Sequence, residues 1–117
     1  MKWVRRLFRT ASEAHAEGLR ADSTRVGATA TCDCRVGQLV EVYGTVQALT
    51  LRPGGRIPMT EVQLWDGAGV VTLLWWGREC VRGVTLGRTL SAQGRIAAGV
   101  APGSLVIYNP RYQLATR

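Results

Sequence analysis

The stretch from Pro58 to Trp76, PMTEVQLWDGAGVVTLLWW, constrains the fold more than any other part of the chain. Thr60, Val62 and Leu64 alternate with Glu61, Gln63 and Trp65, the period-two pattern of a strand with one buried face. Asp66-Gly67-Ala68-Gly69 is turn chemistry, because Asp bonds its own backbone and Gly accepts positive φ. Val70 to Trp76 is apolar except at Thr72. Adjacent side chains on a strand point to opposite faces, so Trp75 and Trp76 cannot both enter one core. Thr72 assigns the even positions to the outside. Trp76 then faces out, and Val71, Leu73 and Trp75 face in. Trp65 already lies on the outward phase of its own strand. The expected hairpin therefore shows two tryptophans on its solvent face.

The flanking segments supply three more strands. Val36 to Leu49 places Val40, Val42, Val46 and Ala48 on one phase, with Glu41, Tyr43, Thr45 and Gln47 on the other. Gly44 falls on the inward phase in mid-strand, where a glycine lets a long strand bend and serve two sheets. Thr50 to Ile57 reads as a flexible loop carrying Arg52 and Arg56. Gly77 to Arg88 is a connector whose glycines limit any helix to about a turn near Arg78 to Arg82. Its Val81, Val84 and Leu86 are candidates to plug one end of a barrel. Thr89 to Ala97 is a fourth strand, with Leu90, Ala92 and Ile96 inward and Gly94 as a second mid-strand glycine. Ser104 to Tyr108 is a fifth, ended by Asn109-Pro110, and Arg111 to Leu114 leads to the tail.

Before this region, residues 1–20 carry a helical period. Trp3, Val4, Leu7, Phe8, Ala11, Ala14 and His15 recur at steps of three and four, with Gly18 as the expected stop. Such a helix can dock on the domain, pair with a second copy or another protein, or lie on a membrane surface or on phosphates. Residues 21–35 read as a linker. Cys32-Asp33-Cys34 offers two thiols, whereas structural zinc usually takes four ligands. The remaining candidates, Cys80 and His15, are far away in sequence, so two ordinary thiols are the expectation and no metal or other cofactor is assigned. The apolar residues near the start are interrupted by Arg5, Arg6 and Arg9. No secretory signal or membrane insertion is expected, and the location is read as cytoplasmic.

Five short strands, a glycine-bent first strand and a connector between the third and fourth describe an all-β, five-stranded OB-fold Greek-key barrel with an added N-terminal α-helix. The domain covers 36–114, with a tail at 115–117. Gly44-Thr45-Val46, Leu64-Trp65-Asp66-Gly67, Trp76-Gly77, Leu86-Gly87-Arg88, Gly94-Arg95 and Tyr108-Asn109-Pro110-Arg111-Tyr112 carry a family resemblance. The chain resembles OB-fold nucleic-acid-binding domains of the anticodon-binding and helicase-wedge type, and more closely small actinobacterial OB-fold proteins. These motifs are turn and packing positions, so the resemblance implies a fold before it implies a ligand.

OB barrels hold single strands across their second and third strands by base stacking and phosphate contacts. Here the expected face comprises Tyr43, Gln63, Trp65, Thr72 and Trp76, with Arg52 and Arg56 on the adjoining loop and Arg95 nearby. The net charge of +7, carried almost entirely by Arg, suits phosphate partners. The loop AAGVAPG between the fourth and fifth strands offers neither an aromatic nor a basic residue. The competing expectation is a protein-interaction module whose face is covered by the N-terminal helix or by a partner. No nucleophile–base pair, phosphate-cradling glycine loop with Lys, or second His is present, so no enzymatic activity is expected. Because the thiol and imidazole set is incomplete, chelation by EDTA is expected to leave the melting temperature unchanged. Stoichiometric zinc whose loss lowers that temperature would overturn this.

Overall fold

The computed structural model describes residues 15–22, 27–52, 57–77 and 81–115. Six strands follow in order: β1 (Leu39–Arg52), β2 (Met59–Trp65), β3 (Val70–Trp76), β4 (Thr89–Ala98), β5 (Leu105–Tyr108) and β6 (Arg111–Leu114). Neighbours run β1-β2-β3-β5-β4, and β4 pairs back to β1. That ring of five is the closed OB barrel. All pairings are antiparallel except β3 with β5. Beyond the five expected strands, Arg111–Leu114 forms β6, antiparallel to β4. Asn109-Pro110 interrupts what would otherwise be one long fifth strand. Pro lacks a ladder donor and Asn109 adopts φ 49°, which breaks the extended run.

Closure depends on β1. Its first half pairs with β4, from Leu39 opposite Arg95 to Thr45 opposite Thr89. Its second half pairs with β2, from Thr45 opposite Trp65 to Arg52 opposite Met59. Thr45 belongs to both ladders, so the strand turns its corner there. Gly44 permits the corner, since a Cβ at that position would collide with the Trp65 carbonyl oxygen. Just past it, the register shifts between Val46 and Ala48. This bulge reverses the alternation of faces. Ala48, expected on the inward phase, therefore stands opposite outward Gln63, while Leu49 stands opposite Val62 and packs on the core.

The core contains Val40, Val42, Val46, Val62, Leu64, Val71, Leu73, Leu90, Ile96 and Ile107, as the matched inward phases require. Trp75 joins them, 2% exposed; its Nε1–H donates to the Pro110 carbonyl at 3.1 Å, which removes the penalty of burying an indole donor. Tyr112 meets it edge-on at 5.6 Å and donates its hydroxyl to the Arg82 carbonyl. Val81 and Val84 close this end as expected, whereas Leu86 is 64% exposed. Leu86 lies in a turn at 86–87 where Gly87 has φ 83°, and the reversal there carries its side chain away from the barrel.

Before the barrel, residues 15–22 are helical and are designated α1. The expected helix over 1–14 lies outside the described residues. Gly18 does not stop the helix, which continues through the buried Leu19 to residue 22. Residues 27–35, read from sequence as linker, are tied to the barrel: Thr29 N–H donates to the Glu41 carbonyl at 2.7 Å, and a single 3-10 turn spans Thr31–Asp33.

Val62 is fully buried in the centre of β2. An ionised carboxylate there would cost more than the roughly 5–15 kcal/mol by which a domain of this size is stable. Val62→Asp is expected to abolish the cooperative thermal transition seen by circular dichroism. A soluble variant with a sigmoidal melt would refute the register of the core.

Candidate functional site

The register of β1, β2 and β3 sets three outward rows. They are Ala48–Gln63–Thr72, Thr50–Glu61–Leu74 and Met59–Trp76, the last with the Arg52 backbone paired to Met59. β5 extends two of them, with Val106 beside Thr72 and Tyr108 beside Leu74. Gln63 and Thr72, both half-buried, sit in the middle of this face as expected. Trp65 belongs to a further row with Val70 and Thr45, at the turn end of the hairpin. Trp76 stands opposite Met59 at the other end, six residues along β2. At about 3.3 Å per residue the two tryptophans are separated by about 20 Å along the sheet. They share a face without forming one patch.

At the turn end, α1 covers Trp65. The His15 ring lies against the indole with centroids 5.3 Å apart and planes inclined by 44°. Arg20 Nη1 donates to the Gly67 carbonyl at 2.8 Å, and Leu19 is buried. The Ala16 carbonyl approaches Gly67 so closely that a Cβ there would collide with it, and Gly67 has φ 94° besides. Glycine is thus required at 67 by its backbone angle and by the docked helix.

The same turn is organised by Asp66, which is 2% exposed. Its Oδ1 accepts from the Ala68 and Gly69 backbone N–H groups at 2.9 and 2.8 Å, the local bonding expected of a turn aspartate. It also accepts from the Thr31 hydroxyl at 3.1 Å, while Oδ2 accepts from the Thr31 N–H at 2.7 Å. One carboxylate therefore holds the hairpin turn and fastens the segment before β1 onto it. Charge-assisted bonds of this kind are roughly twice as strong as neutral ones.

At the opposite end the surface is open. Trp76 is 53% exposed and Tyr108 50%. Their rings meet edge-on at 6.2 Å and 82°. Asn109 fixes this corner from both sides, its N–H donating to the Leu74 carbonyl and its Oδ1 accepting from the Trp76 N–H at 2.9 Å. Half-buried Met59 and Leu74 lie beside the indole on the same face, so the surrounding surface is mainly apolar. Stacking on one face of a base is what an exposed, edge-braced indole can offer.

The other expected residues divide. Arg52 ends β1 in the row of Trp76. Arg56 lies outside the described residues. Tyr43 stands opposite Ser91 of β4, because the corner at Gly44 and Thr45 carries it onto the sheet formed with β4 and β6, away from β2. Arg95 stands opposite Leu39, and its Nη1 donates to the Gly37 carbonyl at 2.6 Å, so it braces the entry to β1. Tyr108, Asn109 and Arg111 were absent from the expected face. The period-two pattern puts Tyr108 outward, but only the parallel pairing of β5 with β3 brings it beside Trp76. The thiols also diverge: Cys32 is exposed, whereas Cys34 is buried and its pKa is pushed up, chiefly by burial and then by the nearby Asp66. Among the described residues, no three potential metal ligands cluster.

No protein-family model matches the chain, and no curated protein matches it. Among solved structures the chain is similar to RecG bound to a three-way DNA junction, with a TM-score of 0.59 at 18% identity. The match covers 69% of this chain and 12% of that one. At that identity the likeness is one of fold. Among the described residues, no helix is long and apolar enough to cross a membrane.

Asp66→Ala would leave the buried Thr31 donors and the part-buried Ala68 and Gly69 N–H groups without their acceptor. The expected loss in a urea titration is about 2–4 kcal/mol, with Asp66→Asn losing less because it keeps one acceptor oxygen. Asp66→Ala as stable as the parent would show that the carboxylate does not hold the segment.

Proposed function

We propose that this chain is a non-enzymatic OB module that binds single-stranded nucleic acid with low sequence preference. The observation that carries the reading is Trp76. It is a half-exposed indole on β3, edge-braced by Tyr108, at the open end of the outward face of a closed barrel. Bases of every type present a π-face, so such a ring binds without reading sequence, contributing about 1–3 kcal/mol per base. The net charge of +7 supplies attraction to phosphate. RecG, whose solved complex contains a DNA junction, is similar in fold, which accords with this reading.

Trp65 has a different place in the scheme. Its indole is engaged by His15, so stacking there requires α1 to move. The folded form therefore presents Trp76 as its principal aromatic on this face. The coverage of Trp65 is also the observation that favours a second reading, a protein-interaction module.

Fluorescence titration with short oligo-dT and oligo-U at two salt concentrations separates the readings. Quenching is expected with both. With about four phosphates neutralised, log K should fall against log salt with a slope near −3. Trp76→Ala should weaken binding by about 1–3 kcal/mol without altering that slope. Arg52→Ala should flatten the slope by about 0.7. No quenching and no salt-dependent association at micromolar protein would put the interaction module in its place.

A further inference from the structure

The Trp76 indole is a wall shared by two hollows. One, of about 320 Å³, is lined by Trp76, Tyr108 and Asn109 and is almost wholly apolar. The other, of about 530 Å³, is lined by Trp75, Trp76, Asn109, Pro110, Arg111 and Tyr112. Both are within the roughly 300–1,000 Å³ typical of small-ligand sites. Together they run from β5, over the end of β3, to the start of β6, and so turn away from the middle of the β2–β3 face.

Three features suit this path to one chemistry. The apolar hollow offers ring surfaces and little else, which matches an unstacked base. Asn109 has its Oδ1 committed to the Trp76 N–H, so the amide NH2 points elsewhere and keeps two donors. Arg111, exposed at the far end, also borders a polar hollow lined by Glu41, Ser91, Gln93, Tyr112 and Gln113. A guanidinium at that boundary can turn into either hollow and bind phosphate in a bidentate way.

We infer that Tyr108, Trp76, Asn109 and Arg111 form a nucleotide subsite at the β3–β5–β6 corner. A base lies in the apolar hollow against Trp76 and Tyr108, the Asn109 amide donates to its edge or sugar, and the adjacent phosphate pairs with Arg111. The strand then bends around the end of the barrel and does not run along the hairpin toward Trp65. This rests on the proposed binding of single strands and adds where the strand goes. The charge of Arg111 favours a nucleotide over the apolar peptide side chain that the first hollow alone could also accept.

The test compares the full chain with Trp76→Ala, Arg111→Ala and Arg111→Lys, using fluorescently labelled oligo-dT and anisotropy at two salt concentrations. Trp76→Ala should lower affinity between about 5-fold and 150-fold. Arg111→Ala should lower it several-fold at low salt and flatten the salt slope by about 0.7, while Arg111→Lys should keep the slope. In parallel, oligo-dT carrying 5-iodouracil is crosslinked to the unaltered protein and the peptides are mapped by mass spectrometry, a readout independent of variant folding. Adducts on Trp76 or Tyr108 support the subsite. Binding by the parent with an unchanged slope in Arg111→Ala, or adducts confined to β1 and β2, overturns the subsite and leaves the broader function standing. No oligonucleotide binding by the parent overturns both.

Discussion

The barrel depends on one close backbone approach. Gly44 lies against the carbonyl of Trp65, and the next residue, Thr45, is paired on both sides, to Trp65 and to Thr89. A side chain at 44 would hold the strands apart at the point where β1 changes partners. Without that corner β1 could extend one ladder only, and the ring of β1, β2, β3, β5 and β4 would stay open. Open edges are templates for unwanted pairing, whereas closure removes them. The bulge after Val46 completes the corner by resetting which side chains face inward.

Much of this was legible in the sequence because it depends on local alternation. The inward positions of β2 and β3 follow from a period of two and a four-residue turn, and the core assembled from them is the observed one. Legibility ended where local rules met tertiary ones. The bulge moved Ala48 outward and Leu49 inward; Gly44 marks a bend or bulge in this strand but not the residue at which the register slips. Residues 111–114 formed β6 because β4 offered a free edge, which the tetrapeptide alone does not reveal. Gly18 lies within α1, where Leu19 beyond it is buried and Arg20 bonds the Gly67 carbonyl at the hairpin turn.

The candidate site shows the same division. That Trp65 and Trp76 face outward was readable; that they lie about 20 Å apart, one under a helix and one bare, was not. The parallel pairing of β3 with β5 brings Tyr108 to Trp76, and the corner at Gly44 takes Tyr43 away. Asp66 read as a turn residue, and it is one. Its second duty, holding Thr31, depends on a segment 35 residues distant.

That distance has a consequence for how the chain assembles. β2 and β3 are joined by four residues, so their pairing closes a small loop and is the cheapest long contact available. Thr31 and Arg20 precede their anchors in the turn by 35 and 47 residues, yet those anchors, the carboxylate of Asp66 and the carbonyl of Gly67, exist in usable form only once the turn has closed. During synthesis α1 emerges before the hairpin, with its docking surface still unmade. The order of assembly therefore runs against the order of the chain: the middle forms first, and the N-terminal elements settle onto it afterwards. A late-docking element whose contacts are absent from the folding transition state would change the unfolding rate when weakened and leave the folding rate nearly unaltered.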